Sequence, residues 1–164
     1  MQATRIQLLQ RMPIFGAIRD ETLQFLLDRS PVVSIPANGY FFREGDEGQS
    51  MFVLEAGEAA VLKRWQGEDR LLRHLARGDC FGEMALMDFF PRSASVRAVE
   101  NCTAIELSAA SLLQLYEKDL EQFAVIEMNM GREVSRRLRE TDERLFLAKM
   151  GERDVSADYV FRAA

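Results

Sequence analysis

The sequence contains little of what metal and disulfide proteins need. It has two cysteines, Cys80 and Cys102, and a single histidine, His74. Two cysteines are too few for a disulfide scaffold, and one histidine does not supply the ligand set of most metal centres. We therefore expect reduced thiols in the core and no bound metal.

The chain also lacks long apolar runs and an excess of positive charge. No segment approaches the roughly 18 apolar residues of a membrane span, and the N-terminus has no secretory signal. The 21 Lys and Arg residues against 26 Asp and Glu residues give a net charge of −5, which disfavours binding to a polyanion. These features predict a cytoplasmic protein that binds neither membranes nor nucleic acid.

The hydrophobic pattern divides the chain into four segments. Ile6, Leu9 and Met12 have helical spacing, and a second helix is predicted at 21–29 with Asp20 as its N-cap. Residues 32–107 contain short runs of strand-forming residues separated by glycine turns, a pattern typical of a β-sandwich or barrel. The predicted segments are a helical segment (1–30), a β core (31–110), C-terminal helices (111–147) and a tail (148–164).

A long amphipathic helix is predicted near the C-terminus, from about residue 120 to 147. Its apolar stripe repeats every three or four residues and consists of Phe123, Ile126, Met130, Val134, Leu138, Thr141 and Leu145. Such a helix either packs on its own sandwich or forms a dimeric coiled coil, and the sequence leaves both open. In either case we expect the stripe to be buried.

One interruption of the β pattern points to an anion site. Gly82 follows a strand, and residues 83–86 are good helix formers, so a short helix begins there with free backbone N–H groups. Pro91 closes the loop. Arg92 then returns toward the start of the short helix, and its guanidinium can form two hydrogen bonds to phosphate oxygens. Glu83 is repelled by an anion, so we expect it to accept from a sugar hydroxyl instead.

These residues resemble the cyclic-nucleotide-binding domain found in the bacterial catabolite activator, kinase regulatory subunits and gated channels. The resemblance covers about 15–145 and includes Gly45, Gly57 and Gly78, but its specific part is FGEMAL at 81–86 followed by PRSASV at 91–96. It implies a double-stranded β-helix, a jelly-roll-like sandwich with N-terminal helices, a short cassette helix and a long C-terminal helix.

The resemblance also implies residue roles. Glu83 would hold the ribose 2′-hydroxyl and Arg92 the cyclic phosphate. The residues implied to line the phosphate are Gly82, Ala85, Ser93 and Ala94, and Met84 is a further candidate for ligand contact. Those implied to face the base or ribose are Val61, Leu72 and Phe81. The candidates on the C-terminal helix are Arg132, Arg136 and Thr141.

The ligand is expected to be cyclic AMP rather than cyclic GMP, because guanine-preferring members often carry threonine where Ser93 stands. A cyclic dinucleotide is a third possibility. A cupin-type enzyme needs more histidines, whereas an interaction domain without a ligand would need a broken cassette. The 19 residues after Leu145 are too few for a helix-turn-helix, so we expect no DNA-binding domain in this chain. The resemblance implies a non-enzymatic sensor, which we expect to be a homodimer that acts on a separate effector.

Overall fold

The computed structural model describes residues 2–151, which form two compact units, one extending to Met130 and the other beginning at Gly131. Of the predicted tail (148–164), the part from residue 152 onward lies outside the described residues. No described helix is both long enough and apolar enough to cross a bilayer.

The N-terminal segment is helical, as predicted. Helix α1 (Gln2–Gln10) leads into a 3-10 turn (Pro13–Phe15) and then helix α2 (Asp20–Leu27). The predicted N-cap is wrong by one residue, because α2 begins at Asp20 and its N-cap is Arg19. The Asp20 carboxylate accepts a hydrogen bond from the Gln10 amide at 2.5 Å and is therefore engaged outside its own helix.

Eight strands form two four-stranded sheets. They are β1 (Val32–Ile35), β2 (Tyr40–Phe42), β3 (Ser50–Ala56), β4 (Ala59–Trp65), β5 (Glu68–Leu75), β6 (Cys80–Phe81), β7 (Ser95–Ala98) and β8 (Cys102–Ser108). The orders are β1-β8-β3-β6 and β2-β7-β4-β5, with antiparallel neighbours throughout. Seven of these strands are predicted by the hydrophobic pattern, whereas β6 is too short to show one.

Alternate side chains of β3 pack into two separate hydrophobic cores. Phe52 and Leu54 face a cluster that joins the two sheets and includes Val96 on β7. Met51 and Val53 face the opposite cluster, which contains the N-terminal helices. Sheet β1-β8-β3-β6 is therefore covered on both faces, and the predicted sandwich with flanking helices is confirmed.

Two helices follow the sheets, α4 (Ala109–Lys118) and α5 (Leu120–Gly151). Helix α5 extends beyond the predicted end at residue 147, because Ala148, Lys149 and Met150 are strong helix formers. In the first unit, Asn129 Nδ2 donates to the carbonyl oxygens of Ile14 and Gly16, at 3.1 and 2.8 Å. These bonds attach the first part of α5 to the N-terminal segment.

Within a single chain, the apolar stripe of α5 is buried only in part. Ile126 and Met130 are buried in the first unit, whereas Leu138 and Leu145 in the second are 59% and 50% exposed. The described part of the second unit is a single helix, which has no second element of its own against which to bury an apolar face. The stripe therefore ends as a buried feature near residue 130.

Candidate functional site

The residues identified from the sequence lie on the loop between β6 and β7. Gly82 follows β6 with φ +81°, and helix α3 (Met84–Asp88) comes next. Phe89 then adopts a left-handed conformation with φ +57°, and the Phe90 N–H donates to Asp88 Oδ1 at 3.0 Å. The predicted short helix within the β core is confirmed, and the turn at its end directs the chain back toward β7.

Arg92 folds inward under this loop and is 6% exposed. Its Nη1 donates to the Gly82 carbonyl oxygen at 2.9 Å, and its Nη2 makes a long contact of 3.4 Å with Ser50 Oγ. The guanidinium also stacks on Phe42, with Cζ 4.1 Å from the ring centroid. Arg92 thus connects the start of the loop to strands of both sheets.

The electrostatic environment leaves Arg92 incompletely compensated. Burial lowers the pKa of Arg92, and the carboxylates of Glu106, Asp46 and Glu83 oppose that shift from a distance. Among the described residues none forms an ion pair with Arg92, and its buried Nε has no hydrogen-bond acceptor. A buried cation with an unused donor is costly unless an anion completes it.

Arg97 on β7 also has a buried Nε without an acceptor. Arg97 as a whole is only half-buried. Arg92 differs in being almost completely removed from solvent.

The backbone of Arg92 is fixed by the loop at 43–48. The Gly45 N–H donates to the Arg92 carbonyl oxygen at 2.9 Å, and the Arg92 N–H donates to the Asp46 carbonyl oxygen at 2.8 Å. Lys63 Nζ donates to the Ser93 carbonyl oxygen at 2.7 Å and to Glu44 Oε1 at 2.5 Å. The bond from Lys63, together with one from the Arg64 N–H, holds the pKa of Glu44 below its usual range.

The cassette residues lie together, with different exposures. Glu83 and Ala85 are buried, at 3% and 4% exposure, whereas Met84 and Ser93 are exposed. The Ser93 hydroxyl is 3.9 Å from Met84 Sδ, which brings the two ends of the loop into contact. Ala94 is half-buried next to them. The β6–β7 loop therefore contains a buried carboxylate, a buried guanidinium and several small side chains.

The three residues expected at the base or ribose are placed differently from one another. Val61 on β4 is half-buried, and Leu72 on β5 is 57% exposed. The β4–β5 register shifts between Val61 and Leu62, so Leu72 is the extra residue of a bulge. Phe81 is 2% exposed and stacks on Phe52 at a centroid distance of 5.4 Å. Contact of these residues with a base stays a prediction.

The three candidates on the C-terminal helix lie in the second unit. Arg136 forms ion pairs with Glu133 and Glu140, and the Thr141 hydroxyl donates to the Arg137 carbonyl oxygen at 2.9 Å. Arg132 is exposed. Their role at the base also stays a prediction.

Three residues around Arg92 were not identified from the sequence: Phe42, Gly48 and Ser50. A Cβ on Gly48 would lie 2.2–2.5 Å from Arg92 Nε, Cζ and Nη2, so the guanidinium occupies the space of a side chain there. In the sequence, Gly48 is one of several turn glycines and Phe42 one of several strand aromatics. No local pattern distinguishes them, because they meet Arg92 only after the sheets form.

Comparison with known proteins identifies the family. Residues 32–119 match the sequence profile of the cyclic nucleotide-binding domain. The cAMP-dependent protein kinase regulatory subunit of Emericella nidulans is 36% identical over 90 residues, which cover 55% of this chain and 21% of that protein. The cyclic AMP receptor protein of Thermus thermophilus is 30% identical over 141 residues, covering 85% of this chain and 63% of that protein.

Solved structures agree with the fold. A cyclic nucleotide-binding domain from Methylobacillus flagellatus superposes with a TM-score of 0.80 at 23% identity, covering 93% of this chain and 86% of that one. The Thermus thermophilus catabolite activator protein gives a TM-score of 0.74 at 30% identity, covering 83% of this chain and 62% of that one. The chain thus spans only part of its relatives, but the profile match covers more than half of it. The chain belongs to the cyclic nucleotide-binding domain family.

Proposed function

We propose that this protein is a non-enzymatic sensor that binds a 3′,5′-cyclic nucleoside monophosphate in the β6–β7 loop. The observation that carries the proposal is Arg92, a buried guanidinium with no ion-pair partner among the described residues and an Nε without an acceptor. A cyclic phosphate carries one negative charge, which would pair with the guanidinium, and oxygen atoms, one of which would accept a hydrogen bond from Nε. Binding would therefore convert a costly buried cation into a compensated pair.

The backbone around Arg92 is the second source of phosphate contacts. The first N–H groups of a helix have no acceptor within the helix, and in α3 these belong to residues at the start of the cassette. Gly82, Ala85, Ser93 and Ala94 have small side chains that allow a ligand to approach the backbone. Met84 would line the outer side of the same site.

Glu83 is proposed to hold the ribose. Its carboxylate is 3% exposed and lies in the same loop as the guanidinium. A carboxylate repels a phosphate, whereas it accepts a hydrogen bond from a sugar 2′-hydroxyl. The pair of opposite charges then matches the two polar parts of a nucleotide.

The proposed base is adenine. Both relatives described above carry cyclic AMP in their names, and Ser93 is smaller than the threonine of many guanine-preferring members. Val61, Leu72 and Phe81 are the proposed apolar neighbours of the base or ribose.

Helix α5 is proposed to relay occupancy to a homodimer and a separate effector in the cytoplasm. Its 120–147 segment would act as a lid, with Arg132, Arg136 and Thr141 as candidate base contacts. The exposed Leu138 and Leu145 support a dimer role, because apolar residues at this spacing are typical of a helix seam.

A protein-contact role for the same loop is the second candidate function. Phe89 and Phe90, at the end of α3, are 79% and 69% exposed. Adjacent exposed aromatic residues are typical of interaction surfaces. This role does not require a nucleotide.

Side-by-side titration tests the proposal. Calorimetry of the full chain with cyclic AMP, cyclic GMP and a cyclic di-purine nucleotide should show saturable binding, with cyclic AMP at least about tenfold tighter, or 1.4 kcal/mol. A tenfold preference for cyclic GMP would reverse the choice of base. Absence of binding to all three would contradict the nucleotide proposal and favour the protein-contact role.

A further inference from the structure

Phe42 lies against the guanidinium of Arg92, although the two residues are far apart in sequence. The 4.1 Å from Arg92 Cζ to the ring centroid is within cation–π range. Phe42 pairs with Val96 in the β2–β7 ladder, so its backbone is held next to the strand that follows Arg92. The contact is therefore built into the sheet rather than made by a loose surface ring.

Phe41 provides an internal comparison. Both phenylalanines are half-buried and pack against Phe52 and Phe81, with centroid distances of 5.0–6.1 Å. Arg92 Cζ lies 4.1 Å from the Phe42 centroid and 5.9 Å from the Phe52 centroid, whereas the described ring contacts of Phe41 do not include Arg92. The two rings thus share a packing role and differ in their relation to the cation.

The rest of the enclosure is made of glycines. Gly48 leaves the space that the guanidinium fills, and Gly82 accepts a hydrogen bond from Nη1 while a Cβ there would lie 2.6 Å from that atom. Arg92 is consequently restrained by a ring, a carbonyl oxygen and two close backbone segments. The long hydrogen bond from Arg92 Nη2 to Ser50 Oγ, at 3.4 Å, is a further and weaker restraint.

We propose that Phe42 is a positioning residue of the nucleotide site: its ring holds the Arg92 guanidinium in the cassette before the ligand arrives. This rests on the proposed function. An arginine that is already ordered loses little side-chain entropy when it binds phosphate. Stacking constrains the distance of the guanidinium from the ring but allows it to slide within its plane, so a phosphate can replace Ser50 without breaking the stack.

Affinities of matched variants test the proposal. In calorimetry of the full chain with cyclic AMP, Phe42→Leu should weaken binding by about three- to tenfold, the effect of losing a cation–π contact. Phe41→Leu, which removes a ring from the same cluster, should bind as the parent chain does. Phe42→Tyr keeps an aromatic face and should restore the parent affinity.

A measurement on the ligand-free protein separates positioning from packing. The ring current of Phe42 should shift the NMR signals of the Arg92 side-chain protons upfield in the parent chain and in Phe41→Leu. In Phe42→Leu, with a folded spectrum otherwise retained, that shift should fall to the smaller contribution of Phe52, whose centroid lies 5.9 Å from Arg92 Cζ. This readout needs no nucleotide, so it decides the stacked position even where binding fails.

Each outcome is decisive. Parent-like affinity of Phe42→Leu, or an equal loss in Phe41→Leu, would overturn the positioning role, as would Arg92 signals without the upfield shift. Failure of the parent chain to bind any cyclic nucleotide would instead overturn the proposed function, and with it the role of Phe42 toward a phosphate.

Discussion

Arg92 and Glu83 carry opposite charges in one loop, and both are almost fully removed from solvent. Desolvation lowers the pKa of Arg92, which records the cost of burying its charge without a close counter-ion among the described residues. The Phe42 ring and the Gly82 carbonyl oxygen offset part of that cost. A site with an unused donor and a nearby acceptor favours a ligand that has both an anionic and a hydroxyl group.

The ribose role of Glu83 predicts a specific coupling between protein and ligand. Glu83→Gln should weaken cyclic AMP binding, because an amide is a poorer acceptor for the 2′-hydroxyl than a carboxylate is. It should affect 2′-deoxy cyclic AMP much less, since that ligand lacks the donor. The four dissociation constants form a double-mutant cycle, and equal losses for the two ligands would contradict the sugar contact.

Glu127 predicts a pH dependence of folding. Burial raises the pKa of Glu127, which lies on α5 within the first unit. Folding therefore favours its protonated form, and stability falls as the pH rises from about 4 through the folded pKa. Glu127→Gln should stabilise the chain at pH 7 and have little effect below about pH 4.

Urea denaturation at the two pH values measures this difference. Glu117 on α4 is exposed, so Glu117→Gln is the control for removal of one negative charge. A gain at pH 7 that is the same for both variants would be a general charge effect and would contradict the role of burial at Glu127.

Sequence pattern predicts Glu83 and Arg92 because they occur within one short motif. It does not predict Phe42, Gly48 or Ser50, whose contacts with Arg92 form only when β2, β3 and the loop between them meet the β6–β7 loop. Long-range contacts of this kind have no local spacing, and a strand phenylalanine is ordinarily a core residue.

At the scale of elements, the strands were predictable where side chains alternate or apolar runs are bounded by glycine. Strand β6 has two residues and is defined by its pairing with β3, which no window of sequence reveals. The burial of α5 was predicted from its stripe alone. Periodicity identifies the apolar face of a helix but not the element that covers it, so burial of the exposed Leu138 and Leu145 in a coiled coil stays a prediction.

The loop at 43–48 is predicted to control the position of Arg92. Gly48→Ala would place a methyl group 2.2 Å from Arg92 Nε, so the guanidinium must leave its enclosure. Cyclic AMP affinity should fall by roughly tenfold or more, about the cost of disturbing a buried charged contact. Titration of the variant by calorimetry measures the loss.

Gly131→Ala is the matched control, because a Cβ there meets no atom within 4 Å. It should leave affinity unchanged and slightly stabilise α5. Parent-like nucleotide affinity in Gly48→Ala would show that the enclosure does not matter for binding.

At the scale of the whole molecule, the two units suggest separate roles. The first contains the cassette, both cores and the α5 segment with Ile126, Asn129 and Met130. A cut before residue 120 would therefore remove core residues of the first unit. A cut after Met130 respects its boundary.

A chain ending at residue 130 should fold and still bind cyclic AMP, roughly tenfold more weakly if the lid proposal holds. It should also be monomeric in sedimentation velocity, while the full chain is a dimer. Unchanged affinity would contradict the lid, and an unchanged oligomeric state would contradict the dimer helix.

The most direct test of the nucleotide site is calorimetry of Arg92→Ala with cyclic AMP. Truncating one partner of a buried charged contact costs about 2–5 kcal/mol, so affinity should fall by about 30-fold or more. Arg97→Ala, which removes the other arginine with an unpartnered Nε, is the control and should bind as the parent chain does. Retained affinity in a folded Arg92→Ala, or an equal loss in Arg97→Ala, would contradict phosphate binding by Arg92.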